Sequence, residues 1–335
     1  MAKLRPHIHD VRRRSSYRLQ PVHDVRLPAE YRRHSITLTA MGGEPPRIGV
    51  AVTTVGRWDA LRELLTDLAG QTRPVTAVAI AHHDPAGAAA LDAVVADFTA
   101  TLTIGATVSA RGISNGRNAA AALLPDDVEW LWFPNDTSRV APDFVEHLSR
   151  HCIPPATVCA GRLLDSEGPR NPLPAPGTAL TKRSAWFAIE PATVFRRDAF
   201  VAAGQFDPGR GSGAETPWQS AEGPDLLLRM AELDGFGIVW ADDVVVQAQT
   251  EFAHLPPQER RRKLRNYGRG AGNLLRTWHY PLWYKTAHLV AAALMPVRNP
   301  AKFSPRDGVA LLVGRAEGLA GRPFSRETDT RAVLR

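Results

Sequence analysis

Cysteine is nearly absent: the 335 residues hold Cys152 and Cys159 and no others. Two cysteines give no disulfide framework in a chain of this size, and their spacing completes no metal-binding pattern, so a reducing cytoplasm is the expected compartment. Long apolar runs are lacking too. No stretch reaches the roughly 18 apolar residues of a transmembrane helix, and the Arg- and His-bearing N-terminus has no apolar segment of the secretory kind. The expectation is a protein made and kept inside the cell. No DNA- or RNA-binding motif occurs, and aromatic and basic residues interleave only near the C-terminus, so no nucleic-acid partner is expected.

What is present supports a large folded domain. Hydrophobic residues make up 44% of the chain, enough for a sizeable core. Lys and Arg number 41 against 34 Asp and Glu, a formal charge of +7 concentrated towards the two ends. Such an excess favours anionic partners such as phosphates or an acidic membrane surface.

The chain divides into three parts. Residues 1–46 are basic and His-rich, with Arg12, Arg13 and Arg14 in a row and no apolar period, and read as a poorly ordered arm. Residues 47–255 alternate strand and helix signals. A strand from Ile48 is followed by a helix from Trp58 to Ala69, with Leu61, Leu64, Leu65 and Leu68 at helical spacing. Further strands are expected at Val75–Ala81, Ala100–Val108 and Trp130–Phe133, and an Ala-rich helix runs from a loop, Ser109–Asn118, to Leu124. This pattern predicts α/β architecture, with a mostly parallel, Rossmann-like sheet covered by helices on both faces. Residues 47–150 form the half suited to a nucleotide. In the second half, 151–255, a strand is expected over Trp186–Phe195, a helix over Leu226–Leu233 and a strand over Gly235–Trp240. Residues 256–335 read as a basic, aromatic, mainly helical extension.

Polar residues gather at the expected strand ends. The aromatic strand Trp130–Phe133 runs through Pro134 into Asn135, Asp136 and Thr137. Ligands of open α/β sheets settle at such carboxyl ends, although Asn and Asp there also cap turns. Thr53, Thr54 and Arg57 follow the first strand, and His82, His83 and Asp84 the second. Transfer of a sugar from a nucleotide diphosphate needs groups for base and ribose, positive charge on the departing diphosphate, and a carboxylate to take the acceptor proton.

Together, in order, these segments resemble family 2 glycosyltransferases with the GT-A fold, in particular the bacterial group that builds cell-surface and cell-wall polysaccharides. The likeness spans roughly residues 47–290. Val52–Arg57 is similar to the family's first strand and nucleotide-facing loop, and Gly112–Asn118 to its Gly…Arg-Asn loop near the diphosphate. Phe133–Thr137 falls where the family has its DXD triplet, and Glu215–Asp225 with Leu226–Arg229 resembles the acceptor-side segment that supplies the base.

The resemblance implies an inverting transferase that uses a nucleotide-sugar donor. Thr53, Thr54, Arg57, His82, Arg117, Asn118, Asn135 and Asp136 would hold the donor. Glu222 would be the general base, with Asp225 its competitor, and Glu215, Trp218 and Trp186 would face a glycan or lipid-linked acceptor. The aromatic, basic C-terminal segment suits either peripheral contact with the cytoplasmic face of the membrane or a core helix packed on the catalytic domain. The family's Mg²⁺ or Mn²⁺ would rest on Asp136 alone, because Thr137 stands where a carboxylate is usual and hard divalent ions prefer charged oxygen. The family's late-strand His is also missing, with His254 further on. Cations such as Arg117 and Arg269 are the alternative to a metal. The competing reading, favoured by the missing carboxylate, is a non-catalytic nucleotide-sugar or glycan-binding protein on the same fold.

Overall fold

The computed structural model describes residues 44–324 apart from Asn171, Glu251, Ala253 and His254. The expectations for the basic arm up to residue 43 and for His254 lie outside the described residues.

An eight-stranded sheet forms the centre. Strands β1 (Ile48–Thr54), β2 (Ala77–His82), β3 (Ile104–Val108) and β4 (Trp130–Trp132) are parallel, in the order β3-β2-β1-β4. Beyond β4 the direction changes. Strand β7 (Thr193–Arg196) pairs antiparallel with β4 and with β5 (Val158–Asp165), which also pairs with the short β6 (Gly168–Pro169) and, in parallel, with β8 (Ile238–Gln247).

Alternation of side chains buries both faces. Val50 and Val52 of β1, Val78 and Ile80 of β2, and Trp130 and Trp132 of β4 pack with Leu61, Leu64, Leu65 and Leu68 of α1 (Trp58–Ala69). Helix α2 (Ala88–Ala96) and α4 (Phe144–His151) extend the same layer through Leu91, Val94, Phe144 and Leu148. The opposite face of β1 and β2 is alanine: Ala51, Ala77, Ala79 and Ala81. Small residues there let the Ala-rich α3 (Ile113–Leu123) lie close to the sheet through Ala120 and Ala121. Further along that face α5 (Arg197–Ala202) and α6 (Glu222–Met230) pack around Phe133, Phe195, Phe200 and Phe206, with ring centroids 5.0–6.4 Å apart.

The C-terminal part is helical as expected: α7 (Pro257–Thr277), α8 (Leu282–Ala293), α9 (Met295–Arg298) and α10 (Pro305–Ala320). Backbones of α7 and α10 meet through glycine. A Cβ on Gly272 would stand 2.3 Å from the Arg315 carbonyl oxygen, and one on Gly318 2.2 Å from that of Arg269. At that contact the fully buried Glu317 accepts from Arg265 Nη2 at 2.5 Å and Arg269 Nε at 2.6 Å, while Arg260 reaches Asp307 at 3.0 Å.

Several boundaries differ from the sequence reading. Helix α3 begins at Ile113, so most of the stretch read as a loop forms its first turns, with Gly112 at φ +111° before it. Over Trp186–Phe195 only Thr193 onward is strand. Pro191, which has no N–H for a ladder, holds the preceding stretch in 3-10 turns at Ser184–Trp186 and Glu190–Ala192. Helix α6 starts at Glu222, four residues before the expected Leu226, because Pro224 is tolerated in a first turn.

Candidate active site

A cavity of about 420 Å³ opens at the carboxyl ends of the parallel strands. Thr53, Thr54 and Arg57 follow β1 into it, Ala81 and His83 come from the end of β2, and Asn135 and Thr137 from beyond β4. Gly112, Ile113 and Gly116 of the α3 start form one side. Gly116 permits this closeness, since a Cβ there would lie 2.6 Å from Thr53 Cγ2. The far wall is α7: Glu259, Arg262, Lys263, Asn266 and Tyr267 recur at helical spacing and all line the cavity.

Asp136 is held beneath Thr54 and Arg57 at the strand ends. Its carboxylate is fully buried, accepting from Thr54 Oγ1 at 2.8 Å and from Arg57 Nε at 3.0 Å and Nη2 at 2.5 Å. Gly56, at φ +93°, turns the chain so that Thr54 and Arg57 converge on it, and its N–H donates to Thr54 Oγ1 at 3.2 Å. A divalent ion does not fit this donor set. Both oxygens of Asp136 are engaged by hydrogen-bond donors, Thr137 offers only a hydroxyl, and no group of three or more His, Cys, Asp or Glu side chains converges among the described residues.

The start of α3 is clamped to the segment that follows α5. Asn118 closes on Phe206 in both directions, its Nδ2 donating to the carbonyl at 2.8 Å and its Oδ1 accepting from the N–H at 3.1 Å. Ser114 Oγ donates to the Arg210 carbonyl at 2.6 Å, and Ile113 N to the Ser212 carbonyl at 2.9 Å. Ser212 and Gly213 thereby join the cavity wall.

Glu222 lies just behind that wall, at the first turn of α6. Arg117, itself buried over the Phe206 ring, contacts it through Nη1 at 3.2 Å. Burial raises the Glu222 pKa to about 7, helped by the neighbouring Glu190 carboxylate and opposed by Arg117. Glu190 comes from the 3-10 turn before β7 and accepts from Gly223 N at 2.8 Å. Gly211 sits between: a Cβ on it would be 2.7 Å from Ile113 Cγ2 and 3.1 Å from Glu222 Cδ.

The remaining expected site residues fall in different places. Asp225 is fixed by Arg229 Nε at 3.0 Å and Trp278 Nε1 at 3.0 Å, away from the cavity lining. His82 is buried beneath the site with its ring 5.2 Å from that of Trp58, and the neighbouring His83 lines the cavity instead. Burial and the adjacent His82 and Arg111 lower the His83 pKa. Glu215 is exposed and Trp218 half-buried on the segment before α6. Trp186 packs apart from these, its Nε1 donating to Tyr280 Oη at 3.2 Å and its ring 5.8 Å from that of His288. Arg269, the expected cation, is fully buried on Glu317.

Sequence reasoning missed Glu190 and the cavity face of α7. Nothing local marks Glu190. The block Arg260–Lys263 reads as a charge run until a helical phase is applied, which sends Arg262 and Lys263 to the cavity and Arg265 and Arg269 to α10.

No protein-family model and no curated protein matches the chain. Solved structures do. Mannosyltransferase PcManGT from Pyrobaculum calidifontis, in complex with GDP-Man and Mn²⁺, superposes with a TM-score of 0.51 at 13% identity, over 82% of this chain and 88% of that one. The residue 1–349 part of S. aureus TarS in complex with UDP-GlcNAc gives a TM-score of 0.49 at 14% identity, over 83% and 93%. The architecture is the GT-A fold, as the resemblance implied.

Proposed function

We propose that the protein is a glycosyltransferase that moves a sugar from a nucleotide-diphosphate donor to a hydroxyl of a glycan or lipid-linked acceptor, with inversion, in cell-surface polysaccharide synthesis. The observation that carries this reading is the juxtaposition, on a GT-A fold, of a strand-end cavity with cationic walls and a carboxylate behind it whose pKa is about 7. In this reading Thr53, Asn135 and His83, which line the cavity, hold base and ribose. Such a carboxylate is half-deprotonated near neutral pH, which suits a general base. In this reading Glu222 takes the acceptor proton as the acceptor oxygen attacks the anomeric carbon, and Gly211 lets Ile113 and Glu222 approach closely. Glu190 keeps the base proton-hungry, and Arg117 orients it.

The helical extension supports a site of action at the membrane surface. Among the described residues no helix is long and apolar enough to cross a membrane. Helices α8 and α9 nevertheless expose a stripe that includes Leu282 (79% exposed), Trp283 (67%), Val290, Leu294 and Val297 (74%), with the exposed Arg298 beside it. Aromatic and aliphatic residues with flanking cations favour a lipid headgroup boundary, where a lipid-linked acceptor resides.

The test is release of nucleoside diphosphate from UDP-, GDP- and dTDP-sugars in the presence of lipid-linked glycan acceptors. Release with one donor, lost in Glu222→Gln, is the expected result. Donor binding with no release for any donor and acceptor would favour the non-catalytic reading, which the burial of Glu222 against Arg117 supports.

A further inference from the structure

We propose that Arg315 of α10, with Tyr284 and His288 of α8 and Arg183 beside them, forms a binding site for the phosphate of a lipid headgroup. This goes beyond the transfer reaction and rests on reading α8 and α9 as a membrane-surface element. The feature that carries it is a cation without a counter-charge.

The arginines where α7 meets α10 are paired with acids, Arg260 with Asp307, and Arg265 and Arg269 with Glu317. Arg315, two residues before Glu317, is different. Among the described residues no carboxylate pairs with it; its Nη1 donates to the His288 carbonyl, and its Nε is buried with no acceptor. Burial lowers its pKa to about 10, and Tyr284 opposes this. A cation held out of water with neither an anion nor a full set of hydrogen bonds costs stability, and an anion from outside would offset that cost.

The groups around Arg315 suit a phosphate. Tyr284 presents a hydroxyl whose charged neighbours are Arg183 and Arg315. His288 lies against Tyr284 with ring centroids 4.7 Å apart, and its Nδ1 is buried without a partner. Burial and Arg315 lower the His288 pKa to about 4, so its ring is neutral near pH 7 and can offer one N–H. Tyr284, His288 and Arg315 are each partly exposed, and Arg183 is exposed, so the cluster reaches the surface. Guanidinium, phenol and imidazole donors with no carboxylate among them complement a group that offers acceptor oxygens and negative charge.

The position of the cluster points to a lipid as the source. Exposed Leu282 and Trp283 immediately precede Tyr284 on α8, and exposed Val290 follows His288 by two residues. An apolar stripe at the acyl boundary brings the exposed edge of the cluster to headgroup level, where cations meet anionic lipid. Trp186, expected at an acceptor, belongs to this cluster through its ring contact with His288.

The experiment uses the full chain, vesicles of phosphatidylcholine alone or mixed with phosphatidylglycerol, and inorganic phosphate in calorimetric titrations. The wild type is expected to bind the mixed vesicles about tenfold more tightly than phosphatidylcholine alone, as two cations at an anionic surface would give. Arg315→Met should abolish that preference and melt no lower than the wild type in lipid-free buffer, since it removes a buried unpaired charge. Arg183 is exposed, so Arg183→Ser folds whatever Arg315 does for stability, and it should lose about fivefold of the preference. Arg315→Lys keeps the charge without the planar fork and should stay as low as Arg315→Met; full recovery would mean a general attraction of charge and overturn the site. A preference that survives in both Arg315→Met and Arg183→Ser, or equal binding of the wild type to the two kinds of vesicle, would overturn the proposal while leaving the membrane reading intact. Phosphate binding that depends on Arg315, with neither kind of vesicle bound, would overturn the lipid as occupant and the membrane reading with it.

Discussion

Arg57 and Asp136 form a two-pronged pair, Nε to Oδ2 at 3.0 Å and Nη2 to Oδ1 at 2.5 Å, that ties the loop after β1 to the loop after β4. The pair sets the shape of the cavity mouth. Asp136→Asn is expected to lower the melting temperature and destabilise the fold by about 1–3 kcal/mol, because the buried hydrogen bonds to Thr54 and Arg57 lose their charge. The same variant should leave the response to Mn²⁺ unchanged, as titration calorimetry would show. A metal response abolished by this change alone would mean that Asp136 is a ligand after all.

Activity should follow the titration of Glu222. Its pKa of about 7 predicts that kcat/KM rises as pH rises through about 7, because the base works only when deprotonated. Glu222→Gln should lower kcat by about 10²–10⁴-fold with little change in donor affinity. Stability should run the other way. A carboxyl whose pKa is raised on folding holds its proton longer in the native state, so its contribution is greatest at low pH and declines as pH rises through about 7. Urea midpoints across pH 5–8 for the wild type and Glu222→Gln check the sign, since the slope should flatten in the variant.

Glu317 offers an opposite case. Burial raises its pKa, but hydrogen bonds from Arg265 and Arg269 outweigh this and hold it at about 2. A carboxyl lowered on folding stabilises the native state above its unfolded pKa and loses that contribution as pH falls towards about 2. Glu317→Gln leaves Arg269 buried without a counter-charge and is expected to cost about 3–5 kcal/mol, measured by urea unfolding. Gly318→Ala should also destabilise, by about 1–3 kcal/mol, since its Cβ would meet the Arg269 carbonyl oxygen at 2.2 Å.

The exposed stripe on α8 and α9 predicts lipid binding. Replacing Leu282, Trp283 and Val297 together by Ser should reduce co-sedimentation with phosphatidylglycerol vesicles by about tenfold, each lost apolar side chain removing part of the interfacial burial. The melting temperature should stay within a few degrees because these side chains are solvent-exposed. Unchanged vesicle binding would show that the stripe is not the contact.

Much of the fold was legible because the first half obeys simple periods. Leu61, Leu64, Leu65 and Leu68 announce α1 with its observed bounds, and the valines of β1 need no context. Strand β5 was not legible, since Gly161 and Arg162 interrupt its apolar run at the bulge where it pairs with β8. At the site, Thr53, Thr54, Arg57 and Asn135 could be read because strand ends expose short polar clusters. Arg262 and Lys263 could not, since their meaning depends on which face of α7 the Gly272–Gly318 contact turns inward, a relation between segments far apart in the chain. Glu190 is invisible for the same reason: it touches Gly223 through the fold, not through the sequence.

Because α7 is pinned by α10, the cavity is also ordered in time. The strands that form its floor leave the ribosome first and can pair while synthesis continues. Arg210 and Ser220 bond α7 to the segment before α6, and the α7 wall gains its last anchor when Glu317 emerges to receive Arg265 and Arg269. A nascent chain therefore carries its strand-end loops before the α7 wall of the cavity is fully anchored.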